Sequence, residues 1–246
     1  MSEVTRPPRA VRRIGHKGAD HIAPGNTAAS FDAALAHGCD MVEFDVLPER
    51  AAGGGLTGRL VLAHDYKVLA EREPLTLEEG LDHLCSSAFD GVELDVDLKA
   101  TGYEERVIAA LRERGMESRT LISSMEGTSM PVLRAASSEV RLGLSVPKAK
   151  RDYLANPATK VVAWTAVRVL QRTMPRTIAA AMRAGRIDAV MSHWALVTPY
   201  FVRTVRRAGG ELYVWTVDDA DRIRAFERMG VTGVITNDPR LFDAES

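Results

Sequence analysis

Cysteine is scarce in this chain. Cys39 and Cys85 are the only two, and their spacing is neither that of a metal site nor that of a disulfide framework. A reducing compartment is the natural expectation. Long hydrophobic runs are missing as well. No window approaches the roughly 18 consecutive apolar residues of a membrane span, and residues 1–13 carry Arg and Pro without the apolar stretch of a signal peptide. The default expectation is therefore a soluble cytoplasmic protein with no stable membrane insertion. Charge of one sign is not in excess either: 32 basic residues stand against 33 acidic ones. Nothing in that balance draws a polyanion, and no nucleic-acid partner is expected.

Several catalytic signatures are also absent. There is no G-x-S-x-G nucleophile elbow, no Walker loop, no H-E-x-x-H and no His-x-His pair. Gly53-Gly54-Gly55-Leu56-Thr57-Gly58 fits G-x-G-x-x-G, but it precedes a strand pattern instead of opening a helix. A dinucleotide fingerprint needs that helix N-terminus for the pyrophosphate, so this stretch reads as a loop.

What is present is ordinary globular composition, 46% apolar and 26% charged, in 246 residues. A chain of this length buries enough apolar surface to fold without staples. Short β-type runs recur at 11–15, 41–46, 92–98, 120–123, 140–146, 189–192, 211–217 and 233–236. Helical patterns lie between them at 27–37, 77–86, 104–114, 129–136, within 161–184, and at 198–208 and 220–229. Strand alternating with helix implies parallel strands joined by right-handed crossovers. Eight strands in about 250 residues are the size of a (β/α)8 barrel, with an open doubly wound sheet as the competitor. One domain spanning 1–246 is expected, with residues 1–10 as an N-terminal arm. The glycine-rich stretch at 51–58 and the short strand pattern at 59–63 read as a hairpin inside one barrel loop.

In such a barrel the active site lies at the C-terminal ends of the strands, so the polar residues there are the candidates. Residues two apart on a strand share a face. Glu43 and Asp45 therefore point one way, and Val42, Phe44 and Val46 the other. Likewise Glu93, Asp95, Asp97 and Lys99 oppose Val92, Leu94, Val96 and Leu98. Strands about 4.8 Å apart bring these acidic faces together inside the barrel. Such carboxylates stay ionised only if something neutralises them. A divalent cation does so, and all-oxygen ligands favour Mg²⁺ or Ca²⁺. The plain alternatives are pairing with the many arginines or exposure to water, and they suffice for an isolated Glu-x-Asp. Two such strands beside two strand-end histidines tilt the reading to a cation, leaving open whether Glu93 or Asp95 shares it with Asp97.

His16 and His64 follow strand ends and titrate in the range that proton transfer needs. His21, His37, His83 and His193 are read as structural, although His193 directly follows a strand. Lys17 and Lys99 offer point charges to an anion, and Trp215 offers an apolar wall at the mouth.

These residues fall into a larger pattern. Gly15-His16-Lys17-Gly18 and Pro24-Gly25-Asn26-Thr27, with Ala29-Ser30-Phe31, Ala34 and Gly38, are followed by Val42-Glu43-Phe44-Asp45-Val46 and Val61-Leu62-Ala63-His64-Asp65. Late in the chain come Tyr213-Val214-Trp215-Thr216-Val217 and Thr236-Asn237-Asp238-Pro239. Across nearly its whole length the sequence resembles the glycerophosphodiester phosphodiesterase family, whose motifs include His-Arg-Gly, Pro-Glu-Asn-Thr, Trp-Thr-Val and Thr-Asp-x-Pro.

The resemblance implies a (β/α)8 TIM barrel of the PLC-like phosphodiesterase type. It also implies a divalent metal and a small-molecule phosphodiester substrate cleaved to an alcohol and glycerol 3-phosphate. By position it makes His16 and His64 the acid/base pair. It makes Glu43, Asp45 and Asp97 metal ligands, and Lys99, with Lys17 and Trp215, substrate contacts. The chain departs from the pattern at Lys17 (usually Arg), Gly25 (usually Glu) and Asp97 (usually Glu), and its insertion after His64 is short. Asp97 before Lys99 also suggests a sphingomyelinase D-like or lysophospholipase D-like phosphodiesterase. A barrel that binds a phosphorylated ligand without catalysis is the reading from a different class. Turnover of a lipid vesicle separates the first alternative, and binding without turnover the second.

Overall fold

The computed structural model describes residues 11–51, 53–67, 72–148 and 160–244. Residues 1–10, expected as an arm, lie outside the described residues. Among the described residues nine strands form one sheet: β1 (Arg12–Gly15), β2 (Met41–Arg50), β3 (Leu56–Leu62), β4 (Glu93–Leu98), β5 (Thr120–Ser124), β6 (Arg141–Val146), β7 (Ala189–His193), β8 (Glu211–Trp215) and β9 (Gly233–Thr236). They run in the order β1-β9-β8-β7-β6-β5-β4-β2-β3, and β1 also pairs with β2. All but β3 pair in parallel, so eight strands close into a barrel. The single-domain barrel is thus the observed fold, and closure disposes of the open sheet.

Helices α1 (Ala28–Ala36), α2 (Leu77–Leu84), α3 (Glu104–Glu113), α4 (Ser129–Ala136), α5 (Lys160–Arg183), α6 (Pro199–Arg207) and α7 (Ala220–Met229) surround it. Their starts and stops are local chemistry. Thr27 with Ser30, and Thr76 with Glu79, form capping boxes that satisfy the first free N–H groups of α1 and α2. Gly230, at φ 77°, ends α7 in the left-handed conformation. In α3 the buried Val107, Ile108 and Leu111 fall on one stripe, with charged residues opposite. Among the described residues no helix is long and apolar enough to cross a membrane.

Strand periodicity divides the apolar residues into two cores. Val42, Phe44, Val46, Leu94, Val96 and Leu98 face outward into the layer between sheet and helices. Ile14, Met41, Leu121, Ala189, Met191, Tyr213 and Ile235 fill the barrel's interior. β2 runs four residues past the expected end at 46 because it continues into an antiparallel ladder with β3, Val46 opposite Leu62 and Pro48 opposite Leu60. That hairpin brings the chain back so that His64 follows β3 at the barrel mouth.

The interior is layered along β4. Its lowest inward residue, Glu93, meets Arg12 at 3.1 Å and also pairs with Arg141. Glu211 joins the same two arginines at 2.9 and 2.8 Å. This four-charge plug closes the N-terminal end of the barrel, so Glu93 is committed there and does not share a ligand set with Asp97. Asp95 lies one layer up, Asp97 at the mouth.

Candidate active site

The loop after β1 folds over β2. His16 N–H donates to Thr236 O (2.8 Å), Gly18 N–H to Glu43 O (3.0 Å) and Lys17 N–H to Glu43 Oε2 (2.7 Å). The turn demands a left-handed backbone: Lys17 has φ 50° and Gly18 φ 84°. At Gly18 no side chain fits, since a Cβ would come within 2.5 Å of the Ser30 backbone at the start of α1.

Parallel pairing of β2 with β4 sets Glu43 opposite Asp95 and Asp45 opposite Asp97. Glu43, Asp45 and Asp97 each offer an oxygen within 4.8 Å of the others. Asp45 is wholly buried and fully engaged. Asn26 Nδ2 donates to its Oδ2 (2.8 Å), while Asn26 Oδ1 accepts from the Asp45 N–H (3.0 Å). Lys99 Nζ reaches Asp45 Oδ1 at 2.6 Å and Asp97 Oδ2 at 2.5 Å. Burial disfavours the Asp45 charge, but Lys99 and His64 outweigh it and hold its pKa well below the usual range. Burial, with Asp45 next to it, drives Glu43 upward, and burial likewise raises Asp97 against the pull of Lys99. Asp95, buried and next to Asp97, is pushed up to about 8.

The donor set fits a hard divalent cation. It is all oxygen, it crowds like charges that a cation would relieve, and the buried Asp97 Oδ1 has no hydrogen-bond partner among the described residues. Asp95 Oδ1 is also without one, but Asp95 is not among the three carboxylates that converge.

The two histidines are held differently. His16 Nδ1 lies 2.6 Å from Asn237 Oδ1, and Asn237 Nδ2 donates to Asp218 Oδ2 at 2.6 Å. A carboxylate only accepts, so Asp218 fixes the amide's orientation, Asn237 presents its oxygen, and Nδ1 must carry the hydrogen. His16 therefore keeps a bare Nε2, which lies 3.9 Å from Glu43 Oε2. Burial, aided by Lys17, lowers the His16 pKa to about 4 and keeps the ring neutral. His64 is half exposed, with Nδ1 3.3 Å from Asp45 Oδ1.

His16, His64, Glu43, Asp97, Lys17, Lys99 and Trp215 line one cavity of about 230 Å³. Asp95 forms part of its floor. Ser123, Met125, Ser145, Met191 and Ile235 make the opposite, neutral wall. Lys17 Nζ is tied to Asp20 at 3.0 Å, and Asp20 also accepts from Gly25 N–H at 2.8 Å. The glycine at 25 follows from this: a Cβ there would meet Asp20 Oδ1 at 2.5 Å. Trp215 packs edge-on against His193 (ring centroids 5.2 Å apart), and His193 Nδ1 accepts from the Ala195 N–H at 3.3 Å, capping the next turn. His83 pairs with Asp32 on the surface at 2.8 Å, far along the chain from either strand end.

Sequence reasoning missed the residues that hold the site in place: Asn26 on Asp45, Asn237 with Asp218 on His16, and Asp20 on Lys17. Asn26 and Asn237 lay within motifs already singled out, where no role was assigned to them. Asp218 carried no signal, because its partner stands 19 residues away in sequence.

The chain matches the model of the glycerophosphoryl diester phosphodiesterase family over residues 16–68 and 90–241. It is 25% identical to a glycerophosphodiester phosphodiesterase of Caldanaerobacter subterraneus subsp. tengcongensis over 260 aligned positions, covering 92% of this chain and 93% of that protein. Among solved structures, a glycerophosphodiester phosphodiesterase from Agrobacterium tumefaciens superposes with a TM-score of 0.66 at 21% identity, covering 96% of this chain and 100% of that one. An Oleispira antarctica phosphodiesterase, solved in complex with the product sn-glycerol-3-phosphate, gives 0.63 at 21% identity, covering 95% and 97%. At that identity the two superpositions speak to the barrel alone.

Proposed function

Because the chain belongs to the glycerophosphoryl diester phosphodiesterase family, we propose that it hydrolyses a small glycerophosphodiester to an alcohol and glycerol 3-phosphate. One observation carries this reading: two imidazoles in different hydrogen-bonding states open onto one small cavity beside a three-carboxylate cage. The cavity is below the roughly 300–1,000 Å³ of pockets for drug-sized ligands, which suits a compact polar diester.

Glu43, Asp45 and Asp97 would hold Mg²⁺ or Ca²⁺. Bound there, the ion supplies Lewis-acid pull on a phosphate oxygen and offsets charge as the phosphorus is attacked. The chain's own groups do the rest. His16 Nε2, left bare by the Asn237 bond, takes a proton from the attacking water as its oxygen bonds to phosphorus. His64, at the open rim beside the ionised Asp45, gives a proton to the alcohol oxygen as the bond from that oxygen to phosphorus breaks. Lys17 and Lys99 supply positive charge to the phosphate. Trp215 closes the side of the cavity with an apolar face. In place of the bidentate grip of an arginine, Lys17 gives a point charge, and its bond to Asp20 steadies it.

Each proton-transfer group is worth roughly 10²–10⁴ in rate. With glycerophosphocholine as substrate and ³¹P NMR as readout, the wild type is expected to release glycerol 3-phosphate. His16→Ala, His64→Ala and chelator-treated protein should each fall by at least about 10²-fold. Equal rates in all four would discard the mechanism, and a cyclic phosphate product would instead favour attack by a substrate hydroxyl.

A further inference from the structure

The oxygens that could take a cation already have a tenant. Lys99 Nζ bridges Asp45 Oδ1 (2.6 Å) and Asp97 Oδ2 (2.5 Å), two of the three carboxylates that converge. Asp45 has little room to rearrange, because its Oδ2 and its N–H are both clamped by Asn26. Asp97 differs: its Oδ1 has no partner among the described residues. A divalent ion drawing on Asp45 Oδ1 at ordinary ligand distances of about 2.0–2.6 Å would stand within about 4 to 5 Å of an ammonium on the same oxygen. Two cations so close in a buried site repel strongly. The lysine, by contrast, can move. It sits at the lip of the barrel just past β4, its backbone pinned by Lys99 N–H to Val46 O at 3.2 Å. Its flexible four-carbon side chain faces the open cavity.

We propose that Lys99 is a built-in counter-ion of the cage, which an incoming divalent cation displaces from Asp45, and that the freed ammonium then becomes a ligand of the phosphate. The cation accordingly loads before the phosphodiester, and loading arms the lysine. This rests on the reading of Glu43, Asp45 and Asp97 as a cation site and adds an order of events to it. Lys99 acts as a positioning and binding residue whose two partners alternate.

The test uses Mg²⁺ and Ca²⁺ alone, then inorganic phosphate. Calorimetric titration of chelator-treated protein should show Lys99→Gln binding the cation at least tenfold more tightly than wild type, with an unchanged circular dichroism spectrum. In wild type carrying ¹⁵N-lysine, the Lys99 ammonium resonance, assigned by its loss in Lys99→Arg, should shift as the cation is added. Cation loading should also tighten inorganic phosphate binding by a factor at least tenfold greater in wild type than in Lys99→Gln. The proposal is overturned if the cation binds wild type and the Lys99 resonance does not move. Equal or weaker cation affinity in folded Lys99→Gln overturns it too. Should Lys99→Gln fail to fold, the wild-type resonance decides alone. Absence of any cation binding to either protein would sink the cage reading itself, an outcome distinct from a bound cation with an unmoved lysine.

Discussion

Asp95 shows how far a single side chain can feel its layer in the barrel. It shares the inward face of β4 with Glu93 and Asp97, yet it has neither the arginines below nor Lys99 above as a direct partner. Burial and the neighbouring Asp97 push its pKa up to about 8, against about 3.9 in an unfolded chain. The folded state therefore keeps a proton that the unfolded state gives up, and stability falls as pH rises between about 4 and 8. At about 1.4 kcal/mol per pKa unit, this is on the order of 5 kcal/mol by pH 8. Asp95→Asn, neutral at every pH and with a side-chain oxygen to keep the hydrogen bond from Ser123, should stabilise the chelator-treated protein by at least about 1 kcal/mol more at pH 8 than at pH 5. Urea denaturation at the two pH values checks it, and an equal difference at both would show that Asp95 does not titrate as argued.

At this scale the sequence spoke clearly about charge and poorly about amides. His16, His64, Glu43, Asp97, Lys17, Lys99 and Trp215 were found by asking which polar residues end strands, and all line one cavity. Asp45 is packed directly behind it. Asn26 and Asn237 end no strand and bear no charge; what they do depends on partners across the barrel mouth, which no local pattern encodes.

Among the elements, strands and helices were legible because periodicity is local, while their ends were set by partners. The helix 129–136 and the helix 220–229 begin and end where the pattern placed them. β2 did not stop at 46, since its last residues pair with β3 and not with a barrel neighbour. The expected strand through 217 ends at Trp215. The turn joining β1 to α1 is the element on which the site leans most, and Gly18 is its tightest point. Gly18→Ala adds a Cβ within 2.5 Å of the Ser30 backbone at φ 84°. Left-handed strain of roughly 1–2 kcal/mol adds to that clash, so a loss of about 2 kcal/mol or more is expected. Because the same turn donates to Glu43 and carries His16, kcat/KM should fall with it. Gly91→Ala is the matched control. It has φ 80° but nothing within 4 Å of the added Cβ, so it should cost only about 1 kcal/mol and leave kcat/KM unchanged. Equal effects of the two substitutions on kcat/KM would mean that the turn does not position the site.

For the molecule as a whole, the barrel assigns its two ends to different tasks. The plug of Arg12, Arg141, Glu93 and Glu211 lies at the N-terminal end, and the cage at the other, with the apolar interior layer of Ile14, Met41, Leu121 and Tyr213 between them. Glu93 and Lys99 are six residues apart on one extended segment, roughly 20 Å at the usual rise per residue. Arg141→Leu tests the division. It removes the partner of both carboxylates and leaves Arg12 alone against two negative charges that are about one quarter exposed. Breaking a fully buried pair costs about 3–5 kcal/mol, and partial exposure brings the expected loss to about 1–3 kcal/mol. The urea midpoint should drop by that amount, at an unchanged denaturant slope. Meanwhile kcat, KM and cation affinity should stay within about twofold, because screening and distance separate the plug from the cage. A variant that kept its stability but lost cation affinity would instead make the plug part of the site, with Glu93, once released, competing for the charge that the mouth depends on.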